Sequence, residues 1–518
     1  MVLYKVPIQT IRQYQLSKSI HFDIQALLTT EPDQSLPQWR KLYHQIKTAI
    51  LTDKLKADLR LPASRELAKQ LGLSRNTIIT AFDQLIAEGY LVAKQGSGTY
   101  VANISPDQQF LTTSTHSSKP APAPLNLSQH GMEMGAVKRA NFNQTWRYIP
   151  FQSGLPDLTQ FPRAEFAKLL SQVTKTAAID QLDYNYTGGL KPFKQAIATY
   201  LGASRGIICQ PEQVLIVSGS QAALDLTARL LIDKGDDIWF EHPGYGGAHS
   251  VFAAVGANFH AMPIINDQHQ FADAIKSCPH PKLAYITPSH QHPTGATMSL
   301  KHRQTMLQLA EERNFWLIED DYDSEYRYDG RPIAALQGLD QSHRTIYIGT
   351  FSKILSPALR CAYMVLPPQL VNPFTAASFN AGINVPNIIQ LALTEFINNG
   401  QFTSHIRKMR VLYNERRLTL LSAIDQHLSQ YIKPMSTNAG MHFAVKIIHP
   451  KLQILGDTQI AKHLRQNDIS IRALSLYGLT PLPPSQQGLL LGFAPFTPAQ
   501  LTQAAVKMAN IFTKLCQA

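Results

Sequence analysis

The chain has 518 residues, 44% of them apolar, with 48 Lys and Arg against 36 Asp and Glu and a formal net charge of +12. That length predicts two or three domains, and the apolar share is ample for a large core, which excludes a disordered polymer or a small disulfide scaffold. No apolar run approaches the ~18 residues of a spanning helix, Met1 to Gln15 lacks the apolar centre of a secretory signal, and the 4 cysteines (Cys209, Cys278, Cys361, Cys516) show no metal or redox spacing, so a cytoplasmic protein with no membrane partner and no metal is expected.

Residues 1–35 are read as an N-terminal extension without an assigned role. Residues 36–102 carry ten basic side chains against five acidic ones, and positive charge concentrated in a small module is the footprint of a polyanion partner. Leu42, Ile46 and Ile50 repeat at helical spacing, and Ser64 to Ile78 reads as helix, tight turn, helix. Ala68 permits close helix approach, Gly72 supplies the turn and Ser74 caps the second helix, whose first residues Arg75, Asn76 and Thr77 would face base edges in a major groove. Tyr90 to Val101 reads as two short strands around Gly96-Ser97-Gly98, a wing whose amides and Lys94 can meet phosphates of double-stranded DNA.

Residues 103–147, polar and proline-rich, are read as a linker that as a flexible coil would span roughly 35–40 Å, similar to the ~34 Å between DNA half-sites. Beyond it, strands such as Val214–Val217, Leu283–Thr287 and Trp316–Glu319 alternate with helical stretches such as Leu300–Glu312. This predicts an α/β domain over 148–518 with a mainly parallel sheet and helices on both faces. Ser218-Gly219-Ser220-Gln221 reads as a strand-to-helix turn, and Gly219, Ser220 and Gln221 could cradle a phosphate with the amides of a helix start. Tyr245, after another apolar strand, could stack on a ring. Asn314 to Asp323 reads as a buried strand delivering Asp320 and Tyr322 at its carboxyl end, where ligands sit in open α/β sheets. Thr345 to Ile348 reads as a strand, with Gly349 to Ser352 as the loop after it, which brings the amine of Lys353 to a cleft. Thr350, Ser352 and Arg360 could hold a phosphate there. A lysine that can meet an aldehyde, a carboxylate for a pyridine nitrogen and a phenol for a ring hydroxyl together read as a site for pyridoxal phosphate.

Phe151-Gln-Ser-Gly154-Leu-Pro-Asp157, Tyr184-Asn-Tyr-Thr-Gly-Gly189, Thr287-Pro-Ser-His290-Gln-His292-Pro-Thr-Gly295, Glu319 to Tyr326 and Thr350-Phe-Ser-Lys353 fall in the order seen in fold type I, class I aminotransferases, which residues 148–518 resemble. The resemblance implies that Lys353 forms the internal aldimine with pyridoxal 5′-phosphate, that Asp320 pairs with the pyridine nitrogen and that Tyr322 bonds the ring hydroxyl. It further implies that Ser220, Gln221, Thr350, Ser352 and Arg360 hold the phosphate, that Gly154 lies where substrate binds, and that Tyr184 arrives from a partner subunit of a homodimer. Two positions depart from the pattern. His292 stands where an asparagine is usual, facing the ring hydroxyl, and Leu490 replaces the arginine that grips the substrate carboxylate, a role that Arg472 could take. The first module resembles the GntR-type winged helix-turn-helix, carried by Leu61-Pro-Ala-Ser-Arg65-Glu-Leu-Ala and Ser74-Arg-Asn-Thr-Ile, with Arg65 in its DNA-facing set and Asp58 where glycine is common. The fusion resembles the MocR subfamily of GntR regulators.

Two readings stay open on these residues. One is a transcription regulator that binds operator DNA and senses an amino compound, or pyridoxal phosphate itself, through the aminotransferase-like domain. The other is a catalytic aminotransferase carrying a winged helix. Leu490 favours the sensor, because turnover of α-amino acids requires a tightly oriented carboxylate.

Overall fold

The computed structural model describes residues 36–103, 128, 131–132, 148–329 and 333–517. The extension of residues 1–35 and nearly all of the expected linker lie outside them. The chain divides into two compact units, Met1–Leu125 and Asn126–Ala518.

In the first unit, helices α1 (Gln38–Leu51), α2 (Ser64–Leu71) and α3 (Arg75–Ala87) precede a hairpin of β1 (Leu91–Lys94) and β2 (Gly98–Val101). One apolar face of each element meets in a single core around Leu42, Ile46, Leu67, Ile78, Leu85 and Val101. Leu67 and Ile78 are fully buried, and truncating either to alanine should cost about 2–5 kcal/mol. Gly72 ends α2 in the left-handed region (φ 66°), and Ser74 caps α3 by accepting from the Thr77 amide at 3.1 Å. Asp58 also adopts a left-handed φ of 61°, so the loop keeps the conformation that glycine favours, one that aspartate tolerates better than most residues.

The second unit is built on an eight-stranded sheet of β3 (Val214–Val217), β4 (Asp237–His242), β5 (Asn258–Ile265), β6 (Gln268–His269), β7 (Leu283–Ile286), β8 (Trp316–Asp321), β9 (Thr345–Thr350) and β10 (Ala362–Val365), in the order β3-β10-β9-β8-β7-β4-β5-β6. The pairs β4/β5, β4/β7, β7/β8 and β8/β9 are parallel, while β10 runs antiparallel to both β3 and β9 and β6 to β5. The sheet is therefore mixed, with a parallel centre. Its central strands are buried on both faces, so they read as continuous apolar runs rather than alternations. Along β9, Ile346 and Ile348 join one core and Tyr347 the other, and helices cover each side. One of these helices, α4 (Ser220–Leu231), brings Leu224 and Leu226 into the core of Ile346 and Ile348.

One boundary differs from expectation. The strand before Lys353 continues through Gly349 and Thr350, because these residues pair with Tyr363 and Ala362 of β10. The loop that carries the lysine is thereby shortened to Phe351 and Ser352. A smaller four-stranded sheet, β11 (Ile432–Pro434), β12 (His442–Ile447), β14 (Gly488–Gly492) and β13 (Arg472–Ala473), packs on the long helix α5 (Gln401–His427) and the terminal helix α6 (Pro498–Gln517).

Candidate cofactor site and DNA-contacting module

Apart from β6 and β10, the strands of the large sheet run in one direction, so their carboxyl ends share an edge, and side chains delivered there converge without long connections. Strand alternation sorts the two adjacent aspartates that end β8. Asp320 accepts from the Tyr285 hydroxyl at 2.7 Å, whereas Asp321 accepts from the Tyr347 hydroxyl at 2.8 Å and pairs with Arg205 at 2.7 Å. Asp321 is therefore neutralised in a buried structural network, and Asp320 is not. Burial pushes the Asp320 carboxyl up to about 7, with the Tyr285 bond opposing that rise.

Lys353 follows β9 and donates to the Gly154 carbonyl at 2.6 Å. The loop carrying Gly154 is fixed from behind. Asp157 pairs with Arg416 at 2.8 Å, and its amide donates to the Tyr413 hydroxyl at 2.8 Å, both partners lying on α5. Burial lowers the lysine pKa, against the Asp323 carboxylate, which raises it, and with the Arg472 cation, which lowers it; the net direction favours the neutral amine that can attack a carbonyl.

Tyr322 places its hydroxyl 3.0 Å from Nδ1 of His290, which also lies 2.8 Å from Asp323. His292 packs edge-on against Tyr245, Tyr322 and Tyr477, with ring centroids 5.1–5.8 Å apart. Burial drives its pKa down to about 3, so the imidazole is neutral. Tyr245 is partly buried on the same wall, its hydroxyl pushed up to about 12 by loss of solvent and by the Asp320 charge.

Groups suited to an anion gather at the amino terminus of α4. Gly219 caps this helix with φ 138°, and a Cβ there would lie 3.2 Å from Nη2 of Arg360. Ser220 opens the helix, and Thr350 Oγ1 accepts from the Ser352 amide at 3.1 Å. The Gln221 side chain is committed elsewhere, donating to the Gly247 carbonyl at 2.9 Å, which leaves its backbone amide for an anion. Pyridoxal phosphate fits this set of donors. Among the described residues, a buried carboxyl in no ion pair, a lysine, a helix amino terminus beside an arginine, and an unpartnered buried Nδ1 of His292 are what its ring nitrogen, aldehyde, phosphate and ring oxygen would satisfy.

Sequence reasoning proposed Arg472 in place of the arginine lost at Leu490, and the structure relates the two directly. Arg472 and Leu490 are Cα partners across β13 and β14, so their side chains share a face. The Arg472 charge lowers the basicity of both His292 and Lys353. Tyr184, in contrast, is not part of this chain's own cleft, and its ring is 76% exposed beside Tyr186. Residues that sequence reasoning passed over are Tyr285, His442, Tyr477 and the pair His290–Asp323. His290 and Asp323 both stood inside quoted motifs, but nothing in the sequence couples positions 33 apart.

In the smaller unit, Arg65, Arg75 and Asn76 are exposed, while the Ser74 and Thr77 hydroxyls bond each other at 2.8 Å as part of the cap. In the wing, Lys94 lies 4.8 Å over the Tyr100 ring, Ser97 bonds the Tyr100 hydroxyl at 2.7 Å, and Gly96 and Gly98 take left-handed φ values. Arg60, absent from the expected set, lies against the tip, where a Cβ on Gly98 would come 3.0 Å from its Nε. Lys47 is engaged inside the unit with Glu88 at 3.3 Å and over the Tyr90 ring at 4.5 Å.

Residues 151–507 match the family model for aminotransferase class I and II, and residues 38–101 match that of the bacterial regulatory proteins of the gntR family. The chain is 39% identical over 493 residues to the probable rhizopine catabolism regulatory protein MocR of Rhizobium meliloti, covering 94% of this chain and 96% of that one. It is 28% identical to the pyridoxine biosynthesis transcriptional regulator PdxR of Corynebacterium glutamicum over 91% of this chain and 94% of that one. Among solved structures, LysN, the alpha-aminoadipate aminotransferase of Thermus thermophilus bound to N-(5′-phosphopyridoxyl)-L-leucine, aligns with a TM-score of 0.67 and 25% identity, covering 75% of this chain and 98% of that one.

Proposed function

The chain belongs to the MocR-type gntR regulators, which join a winged helix-turn-helix to a class I and II aminotransferase unit, and from that premise we propose that it is a pyridoxal phosphate-dependent transcription regulator sensing a carboxylate-bearing amine. The observation that carries the sensing part is the placement of Arg472 opposite Leu490, with its charge felt at Lys353 and His292.

When bound, the cofactor supplies an aldehyde that an amine can take over from Lys353 and a ring that withdraws electrons. Asp320 would hold the ring nitrogen, Tyr322 and His292 would face the ring oxygen, and Tyr245 would pack on the ring. The amino terminus of α4, with Gly219 and Ser220, would hold the phosphate together with Thr350, Ser352 and Arg360. Gly154 holds the lysine amine in place and would face the incoming effector, whose carboxylate Arg472 would take. On DNA, Arg75 and Asn76 would read bases, while Arg65, Lys94 and the tip Gly96-Ser97-Gly98 would contact phosphates.

A homodimer is part of this reading. Ile179, Leu182, Tyr184 and Tyr186 are 58–89% exposed in one segment, an apolar patch of the kind a second copy would cover, and a two-fold protein prefers a repeated half-site. Effector binding must then favour one conformation over another, and a shift from 1:99 to 99:1 needs about 5.5 kcal/mol of differential affinity.

The test is an absorbance screen of the cofactor-loaded chain against amines with and without a carboxylate, run beside operator binding. A band shift and altered DNA binding with the same acidic amine are expected. Steady accumulation of keto product without any change in DNA binding would overturn the regulator in favour of a transaminase.

A further inference from the structure

We infer that Asp323, acting through His290, sets the direction in which Tyr322 gives its proton. The inference rests on the cofactor reading above for what lies in the cleft, but its argument is a proton inventory on this chain's own atoms. Nδ1 of His290 lies 2.8 Å from Asp323 Oδ1 and 3.0 Å from the Tyr322 hydroxyl. The other oxygen of Asp323 accepts from the Met441 amide at 3.2 Å, so both oxygens of this carboxylate act as acceptors.

An ionised carboxylate cannot donate, so Nδ1 must carry a proton, and a protonated ring nitrogen cannot accept one. Toward His290, the Tyr322 oxygen is therefore an acceptor. Its own hydrogen is left to turn elsewhere, into the cleft where the cofactor's ring oxygen would lie. The second ring nitrogen of His290 is buried and has no partner among the described residues, which suits a neutral ring with a bare Nε2 and would penalise an imidazolium with an unpaired N–H.

The arrangement is rigidly held. His290 is 3% exposed and Asp323 0%, and a Cβ on Gly440 would fall 1.9 Å from His290 Cε1, so the backbone leading into β12 closes on the ring. The His442 ring lies parallel to that of Tyr322, with centroids 6.1 Å apart. Burial, and after it the Asp323 charge, keeps the Tyr322 phenol protonated, so it has a proton to give. Asp323 and His290 are positioning residues in this scheme, and neither need touch the cofactor.

The experiment is a pH titration of the absorbance of the full chain loaded with pyridoxal phosphate. Other groups whose charge reaches Tyr322, His292, His442 or Lys353 are Asp320, Asp321, Glu241 and Arg472, and they are common to every variant compared. Tyr322→Phe removes the donor to the ring oxygen and should raise the midpoint, since the lysine-bound nitrogen becomes more basic. Asp323→Asn puts an amide N–H against Nδ1, reverses the ring tautomer and draws the tyrosine proton to His290. It should therefore raise the midpoint too, by on the order of one pH unit, as expected for one hydrogen bond to a charged group. The double variant should lie no higher than Tyr322→Phe alone, because both raise the midpoint through one proton, and loss of the Asp323 charge can only lower it.

If Asp323 acts only as a nearby negative charge, its removal lowers the midpoint and adds to the tyrosine change, and the inference is overturned. Should Asp323→Asn fail to fold, His290→Asn decides. Its amide keeps an N–H where Nδ1 stood, so the wild-type midpoint is expected, and a shift as large as that of Tyr322→Phe would overturn the scheme. A wild-type chain that gains no absorbance band with pyridoxal phosphate would instead remove the cofactor reading itself.

Discussion

The carboxyl edge of the large sheet and the face of the small sheet do different work with different kinds of residue. At the large-sheet edge, Asp320 lies near the end of β8, Tyr322 directly follows that strand and Lys353 follows β9 by three residues, so buried backbone fixes all three. The small sheet brings His442, whose ring lies parallel to that of Tyr322, and Arg472, on a two-residue edge strand with a buried leucine opposite it. In the function proposed above, chemistry that every ligand shares would be set in the rigid part, and discrimination among ligands would fall to a long side chain on a short strand.

The sharpest way to break that division is Lys353→Ala. Cofactor absorbance and effector response should be lost entirely while DNA binding persists, since the basic helix and wing belong to a separately packed unit. Operator binding by the variant that still responds to the same amine would mean that sensing does not pass through this lysine.

Asp320→Asn should show that the rigid edge carries a stability cost. The folded-state pKa of about 7 lies above the ordinary aspartate value, so the folded chain holds the extra proton, and stability without cofactor falls as pH rises from about 4 to about 7. Each unit of that displacement is worth about 1.4 kcal/mol once the carboxylate is ionised. The asparagine variant without cofactor should therefore melt higher than wild type at pH 8 and equally at pH 4, yet hold pyridoxal phosphate more weakly. Melting curves at both pH values check the sign.

Arg472→Leu should leave melting nearly unchanged and the cofactor still bound, while weakening acidic amines about 10–100-fold, the ~1.5–3 kcal/mol of a charge-assisted hydrogen bond. Amines without a carboxylate should bind as before. Equal losses for both classes would place Arg472 in the fold rather than in selection.

The smallest effects concern the DNA-contacting unit. Arg75→Ala should weaken operator binding by ~1–3 kcal/mol and relax preference at one base position, whereas Lys94→Ala should weaken all duplexes alike and flatten the salt dependence. Competition assays with specific and random duplexes at two salt concentrations separate them.

What could be read from the sequence follows the same division. The motifs around Lys353 and Asp320 were legible because strand, loop and functional group are contiguous, and the cap at Ser74 because capping is a local event. The extension of β9 to Thr350 was not, since it depends on pairing with a strand that begins at Ala362. The scaffold role of the neighbouring Asp321 was not legible either, since it depends on the approach of Arg205, more than a hundred residues earlier. His290 and Asp323 meet for the same non-local reason.

The registry of Arg472 with Leu490 has a practical meaning for anyone wishing to retarget the chain, if it senses as proposed above. Exchanging the two side chains, R472L with L490R, would move the cation sideways by one strand spacing, about 4.8 Å, without lengthening or shortening any loop. That distance is close to the reach of three or four methylene groups, so the four-stranded sheet offers a graduated scale on which the separation between amine and acid in the recognised molecule can be reset by moving a single charge from rung to rung.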